Sequence, residues 1–159
     1  MQEQKRTEIA TLGEFGLIKH LTADIELKNA ETKYGIGDDA AVLDTSNQQT
    51  LVTTDLLMEG VHFDLVYTPL KHLGYKAAIV NFSDIYAMNG IPKQITVSLA
   101  VSKRFCIEDL EQFYEGLRLA CQLHNVDIVG GDTTSSVTGL AISITCIGTA
   151  QPEQIVYRN

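Results

Sequence analysis

Two stretches of alternating side-chain size constrain this chain most. Over 93–101, Ile95, Val97, Leu99 and Val101 fall on one face, with Thr96, Ser98 and Ala100 on the other. Over 140–148, Leu140, Ile142, Ile144 and Cys146 oppose Ala141, Ser143, Thr145 and Ile147. Period two predicts β-strands, each with a bulky face and a smaller one. Between them, residues 107–124 place Leu110, Phe113, Leu117 and Cys121 on one side of a helix. A bulky sheet face needs a cover and an amphipathic helix needs a surface, so a layered domain follows.

The remaining elements are shorter. A helix is expected over 12–21, with Phe15, Ile18 and Leu21 on one face. A longer one is expected over 69–88, with Leu70, Leu73, Ala77, Val80 and Met88 inward; Asn89-Gly90 stops it and Pro92 follows. Short strands are expected over 40–43 and 51–54 around a polar turn at 44–49, and over 126–129. Residues 22–37 and 56–68 read as loops, and 1–11 as a frayed polar end. The order β-β-α-β-α-β-β implies an α+β fold, an α/β sandwich in which a mixed four-stranded sheet carries helices on one face. The small Thr/Ser/Ala face is then either solvated or packed on a second sheet, which would make a homodimer.

With 159 residues the chain is long enough for one domain with a real core. A formal net charge of −8 with no basic run excludes nucleic acid or an anionic membrane as the main partner. Cys106, Cys121 and Cys146 show no metal-ligand spacing and read as buried small hydrophobes in a reducing compartment. The polar start lacks a signal core, and no apolar run approaches the ~20 residues of a membrane span. The cytoplasm is the default expectation.

Four aspartate motifs carry the chemistry: Gly37-Asp38-Asp39-Ala40, Thr53-Thr54-Asp55, Asn81-Phe82-Ser83-Asp84 and Gly130-Gly131-Asp132. Each lies against apolar sequence with few cations nearby. Ionised carboxylates in such surroundings need partners, and several together suit hard divalent ions, commonly Mg²⁺ with phosphates. Asp84 falls on or near the inward stripe of its helix; the plain alternative is a solvated surface position. Asp38, Asp39 and Asp132 have turn aspartates as their plain alternative. His62 lies on the loop after Asp55, where it either meets substrate or has no role. The chain has no P-loop, no dinucleotide fingerprint and no nucleophile–histidine pairing.

In order, Gly13-Glu14-Phe15, Gly37-Asp38-Asp39-Ala40, Thr53-Thr54-Asp55, Glu59-Gly60-Val61-His62-Phe63, Asn81-Phe82-Ser83-Asp84, Gly130-Gly131-Asp132-Thr133-Thr134 and Arg158 resemble the N-terminal domain of the thiamine-monophosphate kinase family. The wider superfamily includes aminoimidazole ribonucleotide synthetase, selenophosphate synthetase and a hydrogenase maturation protein. The resemblance implies ATP-dependent phosphorylation of thiamine monophosphate to thiamine diphosphate by direct transfer, with no catalytic side chain. It implies several Mg²⁺ ions held by Asp39, Asp55, Asp84 and Asp132 with Thr53 and Thr54. Tyr114, Gly131, Asp132 and Arg158 would contact ATP, and His62 the substrate. It further implies a homodimer through sheet faces. Members carry a second domain, so residues 1–159 are expected to be one N-terminal ATP- and Mg²⁺-binding domain with little activity alone. Two other readings remain: another ATP-dependent enzyme of the superfamily, or a non-catalytic Mg²⁺–nucleotide-binding or dimerisation module.

Overall fold

The computed structural model describes residues 6–36, 41–45 and 48–157. The chain runs α1 (Gly13–Thr22), β1 (Thr32–Tyr34), β2 (Val42–Leu43), β3 (Gln49–Met58), α2 (Leu70–Ala87), β4 (Ile91–Val101), α3 (Ile107–His124), β5 (Asp127–Ser135) and β6 (Leu140–Ala150). Four strands form one mixed sheet in the order β3-β6-β4-β5, with β4 and β5 parallel and the other pairs antiparallel. β1 and β2 form a separate two-stranded sheet.

The alternation decides which face is covered. Ile95, Val97, Leu99, Ile142, Ile144 and Cys146 are buried with Leu73, Ala77, Phe82, Phe113 and Leu117 from α2 and α3. The α+β expectation, a mixed four-stranded sheet with helices on one face, therefore holds. Among the described residues the opposite face is partly exposed; Val52 and Leu56 on β3 are 66 % and 55 % exposed. α2 and α3 touch backbone to backbone at two glycines. A Cβ on Gly74 would lie 1.9 Å from the Phe113 carbonyl oxygen, and one on Gly116 would lie 1.7 Å from that of Lys71.

α2 stops where expected: Asn89 turns to a φ of 57° and the Gly90 amide donates to the Ile85 carbonyl at 2.9 Å. Asn125, with φ 54°, ends α3 in the same left-handed way.

Four expectations need correction. The stretch 22–37 is not all loop, because Thr32–Tyr34 forms β1. β2 pairs with β1 rather than turning back onto β3. β3 runs on to Met58, with Leu51 and Leu57 buried on the helix side. β5 passes through Gly130-Gly131-Asp132 instead of ending before it. That continuation needs a glycine: a Cβ on Gly131 would lie 1.9 Å from the Val97 carbonyl oxygen on the neighbouring strand. Of the stretch expected to fray, residues 1–5 lie outside the described residues, and Thr7 is tied to α3 through its main-chain amide and hydroxyl, which donate to Glu108 at 2.8 and 2.7 Å.

Candidate active site

Sequence motifs that lie far apart converge into two clusters. The first is at the β3 edge. Thr53 and Asp55 face the helices on alternate positions of β3. The Thr53 hydroxyl donates to Asp84 Oδ2 on α2 at 2.8 Å. The Asp55 amide donates to Asn81 Oδ1 at 3.1 Å, and Asn81 Nδ2 donates to the Ala77 carbonyl at 3.0 Å. Asn81 is fully buried, so it fixes β3 to α2 at the height of Asp55. It sits three residues before Asp84, and its role is visible only once β3 is packed against the helix.

Asp55 has its carboxyl raised above the ordinary range, chiefly by burial and then by the charge of Asp84, while His62 pulls it down. Two carboxylates near each other without a cation favour protonation or a bound ion. Among the described residues, neither joins an ion pair. Asp84 is exposed rather than on the buried stripe; Ile85 beside it fills the core. His62 belongs to the same cluster. Its Nδ1 accepts from the Met58 amide at 3.0 Å, which leaves Nε2 free to carry the proton, and Lys76 Nζ donates to its carbonyl at 3.0 Å.

At the β5 edge is the second cluster. Tyr114, Gly131 and Asp132 line one cavity of about 740 Å³, together with Phe15 and Ile36. Tyr114 is buried, which pushes its hydroxyl up to about 12, so the phenol stays protonated. Asp132 is exposed.

Strand register separates these clusters. Asp55 shares a row with Ile144, Val97 and Gly131, so it lies three strand spacings from β5, roughly 14 Å. Asp132 pairs with Ser98, which pairs with Ser143, so it belongs to the open face, whereas Asp55 belongs to the helix face. One metal ion within one chain does not reach both. Thr54 also turns to the open face: its hydroxyl donates to the Ile144 carbonyl at 3.1 Å and accepts from Thr145 at 3.2 Å. Asp38, Asp39 and Arg158 lie outside the described residues. Among the described residues, no three His, Cys, Asp or Glu side chains gather closely enough to hold a metal ion. The β3 cluster nonetheless fits part of a hard-cation site, with two facing carboxylates and a hydroxyl, all oxygen donors.

The family described as AIR synthase related protein, N-terminal domain, matches residues 37–150, and this chain belongs to it. Relatives within that class include several thiamine-monophosphate kinases. Thiamine-monophosphate kinase from Bacillus subtilis (strain 168) is 38 % identical over 149 residues, covering 93 % of this chain and 46 % of the relative. The crystal structure of thiamine-monophosphate kinase from Stenotrophomonas maltophilia K279a superposes with a TM-score of 0.74 at 32 % identity, over 89 % of this chain and 43 % of that one. AaThiL complexed with AMPPCP and TMP superposes with a TM-score of 0.66 at 34 % identity, over 100 % of this chain and 47 % of that one. The chain spans about half the length of the curated relatives it matches.

Proposed function

We propose that this chain is the carboxylate-bearing N-terminal half of a thiamine-monophosphate kinase, using ATP and Mg²⁺, and that its site is completed across a pair of chains. The observation that carries this is the split. Thr53, Asp55, Asp84 and His62 gather at one edge of the sheet, and Tyr114, Gly131 and Asp132 at the other. Between them lies a partly exposed sheet face with exposed Val52 and Leu56. A second copy laid on that face by a two-fold axis parallel to the strands would set the β3 edge of one sheet beside the β5 edge of the other.

In the proposed reaction an oxygen of the acceptor phosphate forms a bond to the γ-phosphorus of ATP, and the bond to the bridging β-oxygen breaks. The electron pair leaves with ADP. The acceptor oxygen is already anionic near neutral pH, so no general base is required, which agrees with the absence of a nucleophile–base pair in the β3 cluster. The barrier is partly charge repulsion, about 4 kcal/mol per unit-charge pair at ~4 Å and an effective dielectric near 20. When bound, Mg²⁺ would neutralise that charge. Asp55 and Asp84, with Thr53, would hold it, and Asp132 would supply a carboxylate from the second copy. His62 would lie on the acceptor side, with its ring set by the Met58 amide. Tyr114 and Gly131 would line the nucleotide cavity. A cytoplasmic setting follows from the substrates.

Mixing two disabled variants tests this reading. Asp55→Asn and Asp132→Asn should each lose Mg²⁺-dependent binding of AMPPCP. A one-to-one mixture, unfolded and refolded together, should recover about a quarter of the sites, because half the pairs are mixed and each has one intact site. No recovery, with both variants folded and paired, sinks the shared site. No binding by the unsubstituted chain sinks the nucleotide reading of this half.

A further inference from the structure

A second pocket adjoins the β5 cluster, sharing Thr133 with its cavity, but is lined by none of Tyr114, Gly131 and Asp132. It is a cavity of about 610 Å³ outside the carboxyl ends of β4 and β5, the only parallel pair in the four-stranded sheet. That is where ligands bind in open sheets with parallel strands, and the volume falls in the usual range for small-molecule sites. Its walls are fixed. The arm that carries Arg6 and Ile9 is strapped across the strand ends by the two bonds from Thr7 to Glu108, by the Ile107 amide on the Thr7 carbonyl at 3.0 Å, and by Arg6 on the Arg104 carbonyl at 2.7 Å. Ile9, Leu17 and Phe105 give apolar lining, and Phe105 is held beneath the Arg104 guanidinium at 4.8 Å.

The independent sign of a ligand is Ser102, which lines this cavity. It is 5 % exposed, and its hydroxyl has no hydrogen-bond partner among the described residues. A buried hydroxyl left unpaired is costly, and native proteins seldom tolerate one without a purpose or a guest. Lys103 and Arg6 stand at the rim against one carboxylate, Glu8. The local balance is thus cationic in a chain of net charge −8.

We infer that this cavity binds a small aromatic anion, with its ring between Ile9, Leu17 and Phe105, a polar substituent of the ring on the Ser102 hydroxyl, and its acidic group at Lys103 and Arg6. The site uses none of the aspartates assigned to phosphoryl transfer, so binding there in EDTA is measured separately from that reading.

Salicyl phosphate, a ring with a carboxylate and a phosphate, is a suitable probe, titrated into this chain in EDTA and followed by backbone amide NMR. Saturable shifts should map to 101–106 and 133–135. Ser102→Ala should weaken binding by about fivefold, one neutral hydrogen bond. It should also raise the midpoint of thermal unfolding of the free chain, because it removes an unpaired buried hydroxyl. The exposed Lys103→Glu should weaken binding without altering the fold. Absence of saturable shifts overturns the inference, as does equal affinity in all three proteins. A lower unfolding midpoint for free Ser102→Ala overturns it too, since the hydroxyl would then have a partner of its own.

Discussion

Asp127 gives the sharpest test of how this fold is held together. It is fully buried at the start of β5, and none of the ion pairs among the described residues involves it. Its carboxylate accepts instead from the Lys28 amide at 2.7 Å, the Asn29 amide at 3.0 Å and the Thr32 hydroxyl at 2.7 Å. Thr32 in turn accepts from Gln94 Nε2 at 2.9 Å, and Asn29 Nδ2 donates to the carbonyls of Lys93 and Asn125 at 3.0 Å each. One carboxylate therefore fastens the segment leading into β1 to the end of the main sheet. Asp127→Ala removes three charge-assisted bonds and orphans two main-chain amides. Each bond to a charged group is worth about 1.5–3 kcal/mol, but the losses overlap, so the expected cost is about 3–5 kcal/mol. That is a large part of the ~5–15 kcal/mol typical of a domain. Asp127→Asn should cost less, about 1–3 kcal/mol, because Thr32 can rotate to accept while one amide N–H cannot. Urea unfolding followed by circular dichroism measures both, and hydrogen exchange should show Lys28 and Asn29 amides losing protection. A cost below about 1 kcal/mol for Asp127→Ala, or unchanged exchange at those amides, would refute the reasoning.

Other perturbations reach different parts of the molecule. Gly74→Ala and Gly116→Ala should each cost at least about 1–3 kcal/mol in denaturant unfolding, since the added methyl meets a carbonyl oxygen on the facing helix; a neutral result would mean α2 and α3 separate freely. Glu108 is held at about 2 by the Thr7 amide and hydroxyl. The stability it contributes is present above the unfolded value near 4.5 and is lost as pH falls through about 2. Thr7→Val should move the Glu108 carboxyl titration upward by NMR. Asp55 has the opposite sign. Its raised carboxyl makes the metal-free fold lose stability as pH rises from 3.8 through the folded value. Asp55→Asn should therefore raise the thermal midpoint at neutral pH without metal, and abolish any midpoint gain on adding Mg²⁺; a lower metal-free midpoint would contradict the repulsion with Asp84.

Much of this architecture is legible in the sequence where one period dominates. The alternation at Ile95–Val101 and Leu140–Cys146, and the stripe of Leu110, Phe113, Leu117 and Cys121, lead directly to the two long strands, α3 and the covered face. Failures occur where long-range pairing overrides local pattern. Thr32-Lys33-Tyr34 has no alternation, and is a strand only because β2 pairs with it. Gly130-Gly131 looks like a turn by composition, yet it continues β5 because glycine lets that strand approach Val97. Asp127 sits inside an apolar run, and its acceptor role is invisible locally since its three donors lie 99, 98 and 95 residues away.

The aspartates show the same division. Asp55, Asp84 and His62, named from separate motifs, converge through packing of β3 on α2. The grouping of the aspartates into one site is not readable, because residue spacing carries no information about which face or edge of a sheet a strand occupies. Asp55 and Asp132 are separated by strand order β3-β6-β4-β5, which only the completed sheet defines. Under the proposed function, a fold that places Asp55 and Asp132 on opposite edges of the sheet needs a second copy to bring these two carboxylates to one metal–phosphate site. Association is thus part of the chemistry under the proposed function, and a substitution such as Leu56→Lys on the open face, far from any phosphate, should reduce Mg²⁺-dependent AMPPCP binding through loss of pairing while the isolated chain stays folded.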